Sequence, residues 1–153
     1  MPHQWFLWKA ALSDGKGDFA WKIAETALKT YDRECSASGY CFEHFSTHSG
    51  WGGGWHHFSG LSTPVLCWHE AYFGNGCFSC GFDTVVLDRQ DHDHRTVIKL
   101  ASSGHPGSYA DVLFSEPVKK VCCNGTGIPF IRRGSASECR IPNHGIVVLE
   151  YYC

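Results

Sequence analysis

The residues whose types and spacing suit chemistry best are Cys77 and Cys80, which stand between Gly76 and Gly81. A Cys-x-x-Cys pair serves as a redox centre, as half of a zinc site, or as two anchors for separate disulfides. A redox centre favours a cysteine at the start of a helix, whereas this pair follows a predicted helix. A zinc site needs a second ligand pair at matched spacing, and none follows in the sequence. We therefore expect disulfides.

The cysteine content as a whole favours the same interpretation. Nine cysteines in 153 residues are typical of a small secreted domain with a disulfide framework. Because nine is odd, at least one thiol is free, capped or joined to another chain, and a disulfide-linked homodimer is one outcome. The disulfide candidates are Cys35, Cys41, Cys67, Cys77, Cys80, Cys122, Cys123, Cys139 and Cys153.

An acceptor sequence for N-glycosylation adds to the expectation of an extracellular location. Asn124 is followed by Gly125 and Thr126, which completes the Asn-x-Thr pattern. The sequence therefore predicts a glycoprotein. We expect one domain that covers residues 1–153.

Composition argues against two other classes of function. The formal net charge is −2, which does not provide the basic surface that nucleic acids attract. No stretch reaches the roughly 20 consecutive apolar residues of a membrane-spanning helix. We therefore expect neither a nucleic-acid partner nor a transmembrane span.

The segment from Asp91 to His94 alternates carboxylates and imidazoles. If it is extended, each side offers only two metal ligands, and the segment is more simply a connection between two strands. The chain also lacks a Gly-x-Ser-x-Gly nucleophile turn, a phosphate-binding loop with a lysine, and a His-Glu-x-x-His pair. We expect no catalytic residue, metal or cofactor, and a binding protein rather than an enzyme.

Two surfaces are candidates for binding. The first is a glycine-rich segment at residues 46–60 without periodicity, and its alternative is a loop whose tryptophans fold back on the core. The second is a basic patch between Pro117 and Arg133, for which a solvated face is the simpler interpretation. The contact-loop candidates are Trp51, Trp55, His56, His57 and Phe58, and the patch consists of Lys119, Lys120, Arg132 and Arg133.

The elements that would position these residues predict an α+β fold with an antiparallel sheet. Apolar residues spaced at three and four predict one clear helix at about 19–34, with Asp18 as its cap. Thr63 and Pro64 predict a second, shorter helix at about 63–73. Strands are expected at 3–12, 39–45, 82–88, 95–101, 109–115, 118–123, 127–132 and 145–152, the last of them central.

The order of these elements resembles the killer-toxin family of smut fungi. The matching segments are Gly39-Tyr40-Cys41-Phe42, residues 75–81 around the Cys-x-x-Cys pair, and residues 91–100. The resemblance covers about residues 19–101. It implies a secreted, disulfide-stapled α/β sandwich that acts without catalysis on a target cell.

A second resemblance concerns the later part of the chain. Residues 111–118 and 127–131 are similar to the last third of the double-psi barrel of expansin-like proteins, and so are Leu61-Ser62-Thr63 and Asn75-Gly76-Cys77. That family binds or loosens cell-wall polysaccharide.

The expected function is therefore binding, as a toxin or effector that meets a target-cell surface component or a host protein. The alternatives are a polysaccharide-binding or polysaccharide-active protein, with a glycan as partner, and a structural subunit linked through the odd cysteine.

Overall fold

A computed structural model describes residues 1–57 and 62–153 and has an α+β fold, as the sequence predicted. Its helices are α1 (Pro2–Ser13), α2 (Gly17–Ser38) and α3 (Pro64–Phe73). Its strands are β1 (Phe42–Phe45), β2 (Gly52–His56), β3 (Phe78–Ser79), β4 (Thr84–His92), β5 (Arg95–Ser103), β6 (Tyr109–Phe114), β7 (Lys120–Cys123), β8 (Thr126–Ile128), β9 (Phe130–Arg133), β10 (Ala136–Pro142) and β11 (His144–Tyr152). Within the described ranges, no helix combines the length and the apolar character needed to cross a bilayer.

The strands form three antiparallel sheets. A four-stranded sheet has the order β3-β6-β10-β9, and a five-stranded sheet has the order β4-β5-β11-β7-β8. The third sheet is the hairpin of β1 and β2. The prediction that the last strand is central is confirmed, because β11 is the middle strand of the five-stranded sheet.

The two larger sheets share one core. Alternate residues of β6 enter it from one side, and alternate residues of β11 enter it from the other. The rings of Phe114 and Tyr151 meet there with centroids 4.4 Å apart. The other buried members from these two strands are Ala110, Val112, Val147 and Leu149.

The helices cover the opposite face of the four-stranded sheet. Leu113, whose neighbours on β6 point into the shared core, packs instead against the helices. Trp68 and Tyr72 of α3 are fully buried there with Leu12 of α1. The indole N–H of Trp8 donates to the Tyr72 hydroxyl at 3.0 Å. The molecule therefore has three layers: helices, four-stranded sheet and five-stranded sheet.

The strand predicted at residues 3–12 is wrong, because this segment is α1. Its many aromatic residues favour β structure in isolation, but a helix places Trp5, Trp8 and Leu12 on one face. That face packs on the other helices and on the turn at Phe82, whose ring lies 5.9 Å from that of Trp5. Tertiary packing has overridden intrinsic propensity here.

The helix predicted at 19–34 is confirmed and is longer than expected, but its start is not held by Asp18. The first N–H of α2, that of Gly17, donates to the buried carboxylate of Asp111 on β6 at 2.7 Å. Arg140 of β10 binds the same carboxylate through two nitrogens, at 2.9 and 3.1 Å. The Asp18 carboxylate binds Arg133 instead. A residue distant in sequence therefore caps this helix.

Most of the predicted strands, and the predicted connection at residues 91–94, are confirmed. Asp91 and His92 end β4, Asp93 and His94 form the turn to β5, and His92 pairs with Arg95, so the segment 91–94 serves as a strand connection. Strand β10 was not predicted, and it lies between β6 and β9 in the middle of its sheet. Its sequence Ala-Ser-Glu-Cys-Arg-Ile-Pro has buried polar residues at Ser137 and Glu138, which masks the apolar alternation expected of a strand.

The expected disulfide staples are not present. All nine cysteines lie within the described residues and are free thiols. Several are engaged elsewhere: the Cys80 thiol donates to the Thr84 carbonyl at 3.2 Å, and that of Cys35 to the Tyr40 carbonyl at 3.2 Å. Cys139 is packed inside the shared core. The fold is held by apolar burial and hydrogen bonds rather than by cross-links.

We expect Asp111→Ala to lower the free energy of unfolding by about 2–3 kcal/mol, because the Gly17 N–H loses its acceptor and Arg140 its partner. Urea denaturation followed by circular dichroism measures this change. Asp88→Ala removes an exposed carboxylate on β4 and is the matched control, with an expected change below about 0.5 kcal/mol. Equal effects of the two substitutions would contradict the role of Asp111.

The thiols of Cys67 and Cys153 are exposed, whereas Cys139 is enclosed in the shared core. Burial raises the pKa of the Cys139 thiol and also that of Cys153, so the difference between these two lies in access. Because labelling needs an accessible thiolate, we expect N-ethylmaleimide to label Cys67 and Cys153 at least about tenfold faster than Cys139 in the folded protein. Peptide mass spectrometry over time measures the rates. Without reductant, the unfolded protein should take up nine labels, and disulfide-linked peptides would contradict the free-thiol structure.

Candidate functional site

An exposed aromatic surface lies on residues 40–57, which we call the aromatic hairpin, and its Trp55 is the most exposed large hydrophobic side chain among the described residues. It contains β1 and β2 and carries exposed rings at Tyr40, Trp51 and Trp55, whose exposed fractions are 41%, 46% and 75%. His56 and His57 are exposed beside them. Of the predicted contact residues, four lie together on this surface, and Phe58 lies outside the described residues.

Part of this segment was expected to be an irregular loop, but residues 52–56 form a strand. Glycine explains both the missing pattern and the strand geometry. The Phe42 ring lies directly over Gly52, where an added Cβ would approach the ring within 2.2 Å. A glycine run shows no side-chain alternation, so sequence periodicity does not reveal this strand.

A β-bulge in β2 presents Trp55 to solvent. The pairs Phe42–His56 and His44–Gly53 leave one residue between them on β1 and two on β2, namely Gly54 and Trp55. Gly54 has a φ of 78°, a conformation that favours glycine. Bulges re-aim side chains at functional surfaces.

Helix α2 holds the aromatic hairpin in place. The buried carboxylate of Glu34 accepts the N–H of Gly52 at 2.5 Å, and Glu34 itself is only 4% exposed. The Arg33 guanidinium lies 4.6 Å from the centre of the Trp51 ring and donates to the Ser49 carbonyl. Neither role is visible in the sequence, since Glu34 and Arg33 look like ordinary polar residues at the end of a helix.

The connection between the two strands is also ordered by its own hydrogen bonds. The Ser46 hydroxyl accepts the N–H groups of His48 and Ser49, each at 3.2 Å. The N–H of Gly50 donates to the Ser46 carbonyl at 2.8 Å. A tight turn of this kind needs little further ordering when a ligand binds.

Rings also pack at the end of the hairpin opposite its turn, where the Tyr40 ring is edge to face with that of His57 and tilted against that of His56. The Tyr40 ring lies 5.1 Å from that of His56 and 4.7 Å from that of His57. Tyr40 was not among the predicted contact residues, although it stands directly before Cys41 in a segment noted for its resemblance. Rings with apolar faces and polar edges suit ligands that are apolar on one side and hydroxylated at the rim.

The four residues of the predicted basic patch differ in their surroundings: the two arginines bind groups of the protein itself, and the two lysines are exposed. The Arg132 guanidinium donates to the Ser137 hydroxyl and to the Val118 carbonyl, at 2.7 and 2.9 Å. Arg133 is largely buried and binds Asp18 and Glu138. Lys119 and Lys120 remain exposed, with the Lys120 ammonium near the Tyr152 ring. The two arginines therefore serve the fold, and a role of this patch in binding stays a prediction.

Asn124 occupies the two-residue turn between β7 and β8. Its φ is 49° and that of Gly125 is 79°, which is the geometry of an Asn-Gly hairpin turn. The side-chain oxygen of Asn124 accepts the N–H of Val148 at 2.9 Å. The residue is exposed and has a structural role of its own, and its glycosylation stays a prediction.

Three thiols line a cavity of about 440 Å³ between α1, α3 and β3. They are those of Cys67, Cys77 and Cys80, and the Cys77 thiol donates to the Glu70 carboxylate at 3.5 Å. Burial raises the pKa of the Cys80 thiol, which keeps it protonated. Across residues 1–57 and 62–153, no group of three histidine, cysteine or carboxylate side chains is arranged to hold a metal ion.

Comparison with known proteins does not assign a family. No family model matches the chain, and no curated protein matches it. Among solved structures, α-L-fucosidase isoenzyme 2 from Paenibacillus thiaminolyticus is similar with a TM-score of 0.42 and 16% sequence identity. The match covers 61% of this chain and 17% of that one. A likeness of this extent assigns neither a fold family nor an activity to this chain.

We expect Glu34→Ala to loosen the aromatic hairpin, because the Gly52 N–H loses its buried acceptor. The local free energy of opening should fall by about 1–3 kcal/mol. Amide hydrogen exchange at Gly52 measures it. Glu25→Ala, on an exposed face of the same helix, is the matched control and should leave that exchange unchanged. Unaltered exchange at Gly52 in Glu34→Ala would show that Glu34 does not anchor the hairpin.

Proposed function

We propose that this protein acts by binding, that the aromatic hairpin is its contact surface, and that its ligand is a glycan of a cell surface or cell wall. The observation that carries this function is the exposure of Trp55 on a bulge of an otherwise anchored hairpin.

The energetics support a contact role. Large apolar side chains exposed together on a soluble protein are typical of binding sites. Trp51 and Trp55 stand on a frame that Glu34 and the Ser46 turn already order, so little conformational entropy is lost on binding. Tyr40, His56 and His57 add hydrogen-bonding groups at the edges of the rings. This mixture suits the apolar faces and hydroxyl rims of sugar rings.

An extracellular location is proposed with this ligand, because a cell-surface or cell-wall glycan is met outside the cell. The toxin or effector function implied by the killer-toxin resemblance would use the same surface against a target cell, with a host protein as the alternative target. Disulfides are not required for it. If the chain forms a covalent homodimer, the exposed thiols of Cys67 and Cys153 are the groups available for the link.

The test is retention on insoluble cell-wall polysaccharide. We expect the protein to be depleted from solution by one of chitin, cellulose or β-1,3-glucan. Trp55→Ala should weaken retention at least about tenfold, which corresponds to about 1.4 kcal/mol. Leu66→Ala removes a side chain that is 66% exposed on α3 and should leave retention unchanged.

Each other outcome has a definite meaning. Retention that survives both Trp51→Ala and Trp55→Ala would refute the hairpin as the glycan site. Absence of retention on all three polymers would refute a cell-wall polysaccharide as the ligand, and absence of Trp55-dependent binding to intact cells as well would refute the glycan ligand altogether. If Trp55-dependent binding to intact cells were then lost after protease treatment of those cells, the target would be a protein.

A further inference from the structure

A polar pocket lies away from the aromatic hairpin, where the end of α1 meets the loops at one end of the sheets. Its volume is about 320 Å³. Four separate chain segments form it: residues 13–15, the turn at Asp83, residues 104–109, and residues 140–143.

Internal hydrogen bonds fix the walls of this pocket. The Ser13 hydroxyl accepts the N–H of Phe82 at 2.7 Å, and the side-chain N–H of Asn143 donates to the Ser13 carbonyl at 2.9 Å. The N–H of Asn143 donates to the Ser108 carbonyl at 3.0 Å. Gly104 lies directly against the Asn143 amide, where an added Cβ would stand 2.4 Å from its nitrogen. The pocket is therefore built before any ligand enters.

One buried polar atom in this wall lacks a partner. Asn143 is 3% exposed, and its side-chain oxygen accepts no hydrogen bond from any residue that the structure describes. An unpaired buried acceptor costs about 1–3 kcal/mol. This oxygen has almost no accessible surface in the ligand-free structure, so the Asn143 amide must turn toward the pocket before a ligand hydroxyl can donate to it, and the new hydrogen bond would recover part of that cost.

The remaining lining supplies further groups of the same kind. The half-buried carboxylate of Asp83 makes no hydrogen bond within the described residues, and it is an acceptor suited to hydroxyl groups. Asp14 is also an acceptor, already bound to Lys16 at 3.0 Å. Tyr109 is exposed at the mouth and offers a ring face. Among the described residues that line the pocket, the only arginine or lysine is Arg140, and its charge is offset by the buried carboxylate of Asp111.

We propose that this pocket binds a neutral, polyhydroxylated small molecule of monosaccharide size, with Asn143 and Asp83 accepting its hydroxyl groups and Tyr109 lying against its ring. The volume is at the lower end of the range of small-molecule sites, as a single sugar ring requires. This site is separate from the glycan surface of the aromatic hairpin and does not depend on it.

The experiment uses saturation-transfer difference NMR on the whole chain with D-glucose, D-galactose, D-mannose and myo-inositol as probes. We expect at least one probe to give a saturable signal. Asp83→Ala and Tyr109→Ala should each weaken its affinity at least about fivefold. Asp88→Ala, which removes an exposed carboxylate of β4 five residues further along, is the matched control and should bind as the wild type does. Circular dichroism melts establish that each variant is folded.

Three results would overturn this inference. The first is absence of a saturable signal with all four probes, which would show that the pocket does not bind such molecules. The second is a signal that persists in both Asp83→Ala and Tyr109→Ala. The third is a signal lost in Trp55→Ala and retained in Asp83→Ala, which would assign sugar binding to the aromatic hairpin alone. If the wild-type protein is not retained on any polymer but still gives a saturable monosaccharide signal, the glycan-binding role of the aromatic hairpin is refuted and the pocket proposal stands.

Discussion

The carboxylate of Asp111 joins the helix layer of this protein to the four-stranded sheet. Asp111 lies on β6, where its neighbours Ala110 and Val112 enter the core between the sheets, while its own side chain faces the helices. It accepts the first N–H of α2 and binds Arg140 of β10. A carboxylate at a helix N-terminus is favoured by the helix dipole as well as by the hydrogen bond. The position of α2, and therefore of the hairpin that α2 anchors, depends on this contact.

A second buried carboxylate, Glu138, lies close to the same helix start. The Glu138 side chain leaves room only for glycine at position 17, since a Cβ added to Gly17 would stand 2.2 Å from a Glu138 carboxylate oxygen. Burial raises the pKa of Glu138, and the neighbouring Arg133 opposes that shift. Its folded pKa lies above its unfolded pKa, so protonated Glu138 favours the folded state. That contribution is fully present below the unfolded pKa and is lost as the pH rises through the folded pKa.

Sequence patterns predicted the elements that have a periodic pattern of apolar side chains. They missed elements that are set by contacts with distant parts of the chain or that consist largely of glycine. The stripe of Ala20, Ile23, Ala24 and Ala27 predicted α2, and the apolar run at 146–152 predicted a central strand. The aromatic residues of α1 suggested a strand because the packing that selects a helix comes from α3 and the turn at Phe82. Strand β2 has glycines where alternation would be visible. For the candidate site, Trp51 and Trp55 were identifiable by type, whereas Glu34 and Tyr40 were not, since their roles follow from contacts across the fold.

Several of the contacts described above join residues more than ninety positions apart. Gly17 meets Asp111, Arg133 meets Asp18, and Asn143 meets the carbonyl of Ser13. During synthesis the helices leave the ribosome long before β10 supplies Arg140 and Asn143 follows it. Contacts of such sequence separation slow folding, because the long loop must be closed before its contacts stabilise it. The strand residues that complete the apolar cluster of the helices, Leu113 of β6 and Ala136 of β10, are also made late, and until then the nascent chain is more open to aggregation and to chaperones.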